Sequence, residues 1–282
     1  MNDLIAKFEK MGAEAVVEQP RSGEDHLIID IRDGTFVIRK PHRIGLEVLD
    51  LQPGERHLLL LARGRQKSRF LCGHDERHWF VAAIPEAFPV STVRDAMEAL
   101  KPEEVQDAER RLRLKPGNEW KKNRRKNEAR VRQGEWFFIP ARSFVPPDGT
   151  PIQKKEPLGR VANGRFLGRP HTVDEVVRFG GETVFIPQVR MAWNQGDRGE
   201  LQRRLEREVG TGLTAEQQKR FIERHPEAQD WQWSNFVRNP EVYVRGRVRH
   251  PDHKTIRLKF WHKVVQNTEL RAEAMRFVAF VD

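Results

Sequence analysis

Through its first ninety residues the chain alternates apolar and polar positions in short runs separated by turn residues. His26–Ile31 and Thr35–Arg39 flank Arg32-Asp33-Gly34, and Ile44–Leu51 and His57–Arg63 flank Pro53-Gly54. Ser68–Cys72 and His78–Ile84 follow around the polar turn Gly73-His74-Asp75-Glu76. A period of two bounded by turn chemistry predicts strands, and three successive hairpins predict an antiparallel sheet or small barrel. Asp3–Met11 is the one segment before them that reads as a helix.

The pattern changes at Ser91. STVRDAMEAL sets a capping residue ahead of Val93, Met97 and Leu100 at helical spacing, and a second helix is predicted from Pro102, with Glu103 and Glu104 at its positive end. Pro116-Gly117 ends it before a strongly basic run. Strands resume at Glu135–Ile139 and at Thr183–Ile186, with a Pro/Gly-rich loop over Pro146–Arg169 between them. Helices are predicted over Gly199–Val209 and from Thr214, where Gln217 completes a capping box and Pro226 sets the limit. A hairpin over Glu241–Val265 and a last strand over Met275–Val281 close the chain. Strands and helices in segregated blocks predict an α+β fold. We divide it into a strand-rich domain (1–90), a helical and basic connector (91–133) and an α+β domain with a terminal β-hairpin (134–282).

The terminal hairpin, EVYVRGRVRHPDHKTIRLKFWHKVV, is the most informative of these segments. Strand alternation puts Val242, Val244, Gly246, Val248 and His250 on one face, with Ile256, Leu258, Phe260, His262 and Val264 beside them. The other face collects Tyr243, Arg245, Arg247, Arg249, Arg257, Lys259, Trp261 and Lys263, a surface suited to phosphates with rings for base stacking.

Charge accounting supports that face. The chain carries 51 Lys and Arg against 41 Asp and Glu, a formal +10. Residues 109–132 hold 11 basic and 3 acidic side chains (+8), and residues 241–265 hold 7 and 2 (+5), so the remainder sums to 10 − 13 = −3. Basicity concentrated in this way reads as a binding footprint. In the first stretch Trp120 lies among Lys121, Lys122, Arg124, Arg125 and Lys126, with Asn123 and Asn127 able to bond phosphate or base edges. A lipid-binding helix would need a sustained apolar face, which Trp120, Ala129 and Val131 do not make.

The histidines offer a second chemistry. His250, Asp252 and His253 share a tight turn, and His262 lies on the return strand, so two or three imidazoles and a carboxylate could hold one divalent ion, with His250, Asp252 and His253 as candidate catalytic groups. The string HPDH is similar to the end of the metallo-β-lactamase-like signature H-x-H-x-D-H, with Val248 where the first histidine belongs and without the glycine-rich continuation. His253-Lys254-Thr255-Ile256 is similar to the H-x-T-apolar motif of two-histidine phosphoesterases, of which a second copy is missing. No residue role is carried over from either family. Cys72, His74, Asp75 and His78 form another cluster of ligand-type residues in CGHDERH. His171, near Asp174 and Glu175, reads as a loop or capping residue.

There is no phosphate loop of the G-x-x-x-x-G-K-[ST] kind, no G-x-G-x-x-G, no G-x-S-x-G, no H-E-x-x-H and no paired C-x-x-C. These absences argue against P-loop nucleotide hydrolysis, dinucleotide redox work, serine esterase chemistry and a zinc finger. The longest apolar run, Leu58–Ala62, is far too short to span a membrane. Cys72 is the lone cysteine, which excludes an intrachain disulfide and points to a reducing cytoplasm. The expected function is nucleic-acid binding. Metal-assisted phosphodiesterase or nuclease chemistry at the HPDH turn, and a non-enzymatic module that docks an acidic protein partner, are the alternatives.

Overall fold

The computed structural model describes residues 2–21, 26–75, 77–112, 118–162, 165–187, 208–209 and 212–269. The helix expected over Gly199–Val209 lies outside these residues except for its last two positions, and the strand expected over Met275–Val281 lies outside them altogether. The architecture is α+β, as the segregated patterns predict, and the described residues form four sheets that do not close into a barrel.

Helix α1 (Asn2–Lys10) leads into β1 (Glu14–Glu18), β2 (Ile28–Arg32) and β3 (Thr35–Arg39), in the order β1-β3-β2. β1, which alternation did not predict, runs parallel to β3. The β2–β3 turn uses left-handed backbone at Asp33 (φ 50°) and Gly34 (φ 82°), whose twist suits a two-residue hairpin. Next comes a four-stranded meander of β4 (Gly45–Gln52), β5 (His57–Arg63), β6 (Lys67–Asp75) and β7 (His78–Ile84).

The leucine run in β5 is explained by burial on both faces. Leu58 and Leu60 pack with Phe8, Ile29, Phe36 and Phe70, whereas Leu59 packs with Leu71, Ala82, Val93 and Ala96. A strand covered on both sides has no need of a polar alternate. The second cover is α2 (Val93–Ala99), started by a Thr92/Asp95 capping box and tied to the meander by the Val93 N–H, which donates to Asp50 at 2.7 Å.

Helix α3 (Glu103–Arg110) places Glu109 inside, where it accepts from Lys101 at 2.7 Å and from Arg130 at 2.9 Å. All three side chains are at most 3 % exposed. The basic run that follows is therefore partly internal. Its end also enters a sheet, because β8 (Val131–Gln133) pairs with β9 (Trp136–Pro140).

That sheet has six strands, in the order β10-β11-β14-β15-β9-β8, from β10 (Gln153–Ala162), β11 (Arg165–Phe179), β14 (Glu241–Arg249) and β15 (Ile256–Gln266) with β8 and β9. The loop expected over Pro146–Arg169 is thus mostly a long hairpin. Its prolines are accommodated because β10 is an edge strand, where Pro157 can lack an N–H, and because Pro170 falls where the β10–β11 register shifts between Leu158 and Arg160. The terminal hairpin forms as predicted between β14 and β15. A two-stranded sheet of β12 (Glu182–Pro187) and β13 (Trp233–Arg238) accompanies α4 (Ala215–Arg224), whose Thr214/Gln217 capping box also forms as predicted. Phe221 of α4 is buried against Val209, Leu213 and Ala228. No helix among the described residues is long and apolar enough to cross a membrane.

Candidate metal centre

Where β11, the end of β14 and the turn after it meet, three histidines converge. His171, His250 and His253 are buried, at 2 %, 6 % and 6 % exposure, and can each present one ring nitrogen within 4.8 Å of the others. The rings lie side by side, with centroids 4.4 Å apart for His171 and His250, 4.8 Å for His250 and His253, and 5.7 Å for His171 and His253. Three protonated rings at these separations would repel one another, whereas one shared cation would satisfy them. Ligand nitrogens about 2.0–2.1 Å from a tetrahedral zinc lie roughly 3.4 Å apart, so the group needs a modest contraction to close on an ion.

The surroundings hold these rings in place. His250 Nε2–H donates to the Arg169 carbonyl at 3.0 Å, and its Nδ1 accepts from the Asp252 N–H at 3.2 Å. His253 packs against Gly134, whose backbone is left-handed (φ 57°), and a Cβ added there would stand 2.8 Å from His253 Nε2. Trp136 meets His171 edge-on with centroids 6.4 Å apart.

Of the sequence-derived ligand set, His250 and His253 do come together, and His171 joins them. Asp252 sits at the rim, with its carboxylate 3.8 Å from His250 Nδ1, 3.8 Å from Arg169 and 3.9 Å from His78. His262 belongs elsewhere. Its Nδ1 bonds the Phe260 carbonyl at 2.8 Å, its ring stacks on Phe260, and burial pulls its pKa below the ordinary histidine value. The register of β15 explains the separation: Val244 pairs with His262 but Gly246 pairs with Leu258, so three residues of β15 oppose the single Arg245.

The ligand-type residues of CGHDERH form no metal-holding group among the described residues. Cys72 is wholly buried in the core, where desolvation pushes its thiol pKa up. His74 lies edge-on to Trp79, and Asp75 pairs with Arg132 at 2.7 Å. His74, Asp75 and His78 instead line a cavity of about 240 Å³ between the meander and β8–β9, together with His57, Arg132 and His253. Burial lowers the pKa of His57, opposed by its bond to the Glu55 carbonyl, and burial likewise lowers that of His74.

The basic face also differs from expectation. Arg245 pairs with Glu175 at 2.6 Å, Arg249 with Asp174 at 2.8 Å and Arg247 with Asp174 at 3.3 Å, so β11 supplies carboxylates to all three arginines. Asp174, which also accepts from the Arg247 N–H at 2.9 Å, has its carboxyl pKa held down at about 2. Trp261 is turned inward by the same irregularity in β15 and is only 6 % exposed, with Arg245 over its ring at 4.6 Å. Arg257 and Lys259 are exposed as predicted.

In the connector, Arg125 donates to the carbonyls of Arg132 (2.9 Å) and Lys254 (3.0 Å), Asn123 accepts from Lys101 (2.9 Å), and Asn127 caps the turn at Ala129 and Arg130. These are structural uses of residues expected to read phosphates or bases. Arg124 and Lys126 are exposed, Lys121 and Lys122 are half-buried, and the side chain of Trp120 lies outside the described residues.

His171, expected as a loop or capping residue, is the member of the cluster that the local pattern does not reveal. Its alternation with Val173 on the buried face of β11 is masked by Gly168 and Pro170 just before it. Comparison with known proteins finds no family model, no curated protein and no solved structure that matches this chain.

Proposed function

We propose that the protein is a metal-assisted hydrolase of phosphodiester bonds, with a divalent transition metal of the zinc type at His171, His250 and His253. The observation that carries this reading is the convergence of three buried imidazoles, two from one turn and His171 from a strand about eighty residues earlier. Imidazole nitrogens suit zinc and its neighbours, and a site with three protein ligands leaves a coordination position for water. A metal there would supply an activated water and polarise a phosphoryl oxygen. His171, His250 and His253 would hold it, and Asp252 at the rim would help to orient the attacking water. The cavity that includes His253 in its wall supplies a route for substrate, with Arg132 and Arg125 along it. The lone Cys72 supports a cytoplasmic setting.

Protein purified without an affinity tag should carry close to one metal per chain and cleave a generic phosphodiester such as bis(p-nitrophenyl) phosphate. His171→Ala and His253→Ala should lose both properties while keeping their far-ultraviolet circular dichroism. Metal-free protein with undiminished hydrolysis in His253→Ala would sink the reading.

Nucleic-acid binding without catalysis is the second reading, supported by the concentration of charge in residues 109–132 and 241–265 and by the exposure of Arg124, Lys126, Arg257 and Lys259. A module docking an acidic protein partner would use the same surfaces. Competition between an oligonucleotide and polyglutamate separates the two.

A further inference from the structure

A groove crosses the outer side of the six-stranded sheet. One wall is formed by Lys154 and Lys155 of β10, the other by Arg257 and Lys259 of β15, and Asp174, Glu175, Arg245 and Gly246 lie between them. The four wall cations are exposed, and none forms an ion pair among the described residues. The carboxylates in between are engaged with Arg245, Arg247 and Arg249. The two carboxylates offset two of the three arginine charges and leave the walls as the main source of positive potential.

Two features shape the groove. Register shifts in β11–β14 and in β14–β15 meet at Gly246 (φ 94°), and bulges of this kind bend a sheet. Lys155 holds a left-handed backbone (φ 56°), an unfavourable conformation for a residue with a side chain and one that is retained where the surroundings or a function demand it. From β10 to β15 there are three interstrand steps, about 14 Å at ~4.8 Å each, a width that long Lys and Arg side chains can reach into from both walls.

We propose that this groove is a track for the sugar–phosphate backbone of single-stranded nucleic acid, bound without regard to sequence. Cations on two facing walls converge on one narrow polyanion, whereas a duplex would call for a broad basic face. Sequence independence follows from the state of the aromatic rings. Trp261 lies under Arg245, and Tyr243 is covered by Phe144 at a centroid distance of 3.7 Å and an interplanar angle of 3°, so neither offers a stacking surface for a base. The groove shares no lining residue with the three histidines. The proposal rests on the nucleic-acid reading and is independent of the metal.

The test is fluorescence anisotropy of a labelled 15-nucleotide single strand with the full chain, before and after stripping with a chelator. Four phosphate contacts predict a log–log salt slope near −3, at ~0.7 per contact for a single strand. The paired changes Lys154→Gln with Lys155→Gln, and Arg257→Gln with Lys259→Gln, should each weaken binding roughly tenfold and reduce the slope by about half. Lys10→Gln with Lys219→Gln, two exposed lysines outside both basic stretches, should leave affinity within about twofold, as should chelation. If the strand binds but the groove variants match the wild type, the groove assignment is wrong while the nucleic-acid reading survives. If no strand binds, both fail. Loss of binding on chelation, tenfold discrimination between sequences, or tighter binding of duplex would each overturn the proposal.

Discussion

His250 donates its Nε2–H to the carbonyl oxygen of Arg169 at 3.0 Å, which leaves Nδ1 as the ring atom with a lone pair. Metal-binding histidines usually have their second nitrogen held in this way, fixing tautomer and ring orientation. The Asp252 N–H now donating to Nδ1 at 3.2 Å occupies the direction an ion would take. Because only neutral imidazole ligates, metal affinity should weaken as the pH falls. Titration with a chromogenic chelator at a series of pH values reads this directly, and an affinity that does not change with pH would contradict a three-histidine site.

Gly134→Ala tests the support behind His253. The new Cβ meets His253 Nε2 at 2.8 Å and must adopt a φ of 57°. Backbone strain of this kind costs ~1–3 kcal/mol. A lower urea midpoint together with reduced metal content is expected, and a midpoint equal to that of the wild type would show that the turn relaxes without effect.

Glu109→Gln removes the anion from between Lys101 and Arg130, which are 3 % and 2 % exposed. Arg130 is then left without a carboxylate while Lys101 keeps Glu98 at 2.7 Å, and an uncompensated buried cation costs ~3–5 kcal/mol. Replacing all three residues with apolar side chains of similar volume should destabilise less than this single change. Chemical denaturation of the two variants side by side gives the comparison.

Asp174 has its carboxyl held at about pKa 2, chiefly by the Arg247 N–H and then by the Arg249 and Arg247 side chains. A depressed folded-state pKa contributes stability that is complete above the unfolded value of about 3.9 and is lost as pH falls through the folded one. The difference in urea midpoint between wild type and Asp174→Asn should therefore shrink between pH 4 and pH 2 and stay level from pH 5 to pH 8. A difference that shrinks on approaching pH 8 would assign the effect to another group.

Much of the fold is legible in the sequence where one local signal decides it. Asp33-Gly34 marks a hairpin, Thr92 and Thr214 open helices, and Val244 and Val248 fall on the buried face of β14, with a buried His250 just after it. The failures arise where partners distant in sequence decide. Whether Pro157 stops a strand depends on β10 being an edge, and whether Arg247 meets solvent or a carboxylate depends on Asp174, 73 residues away. Trp261 illustrates a third limit, since alternation holds only until a register shift interrupts it. The candidate centre was two-thirds visible, as His250 and His253, while His171 required the pairing of β11 with β14 to bring it near.

The bulge at Gly246 makes chain length part of the site. Val173 pairs with Val248 and Val176 with Val244, so β11 advances three residues while β14 advances four, and all four valines are buried. Without the extra residue a regular ladder would send Val173 and Val248 to the face opposite Val176 and Val244. His171 and His250 would go with them. A deletion of Gly246 would therefore leave every histidine in the sequence and still dismantle the centre, because the count of residues, as much as their identity, determines which way the imidazoles face.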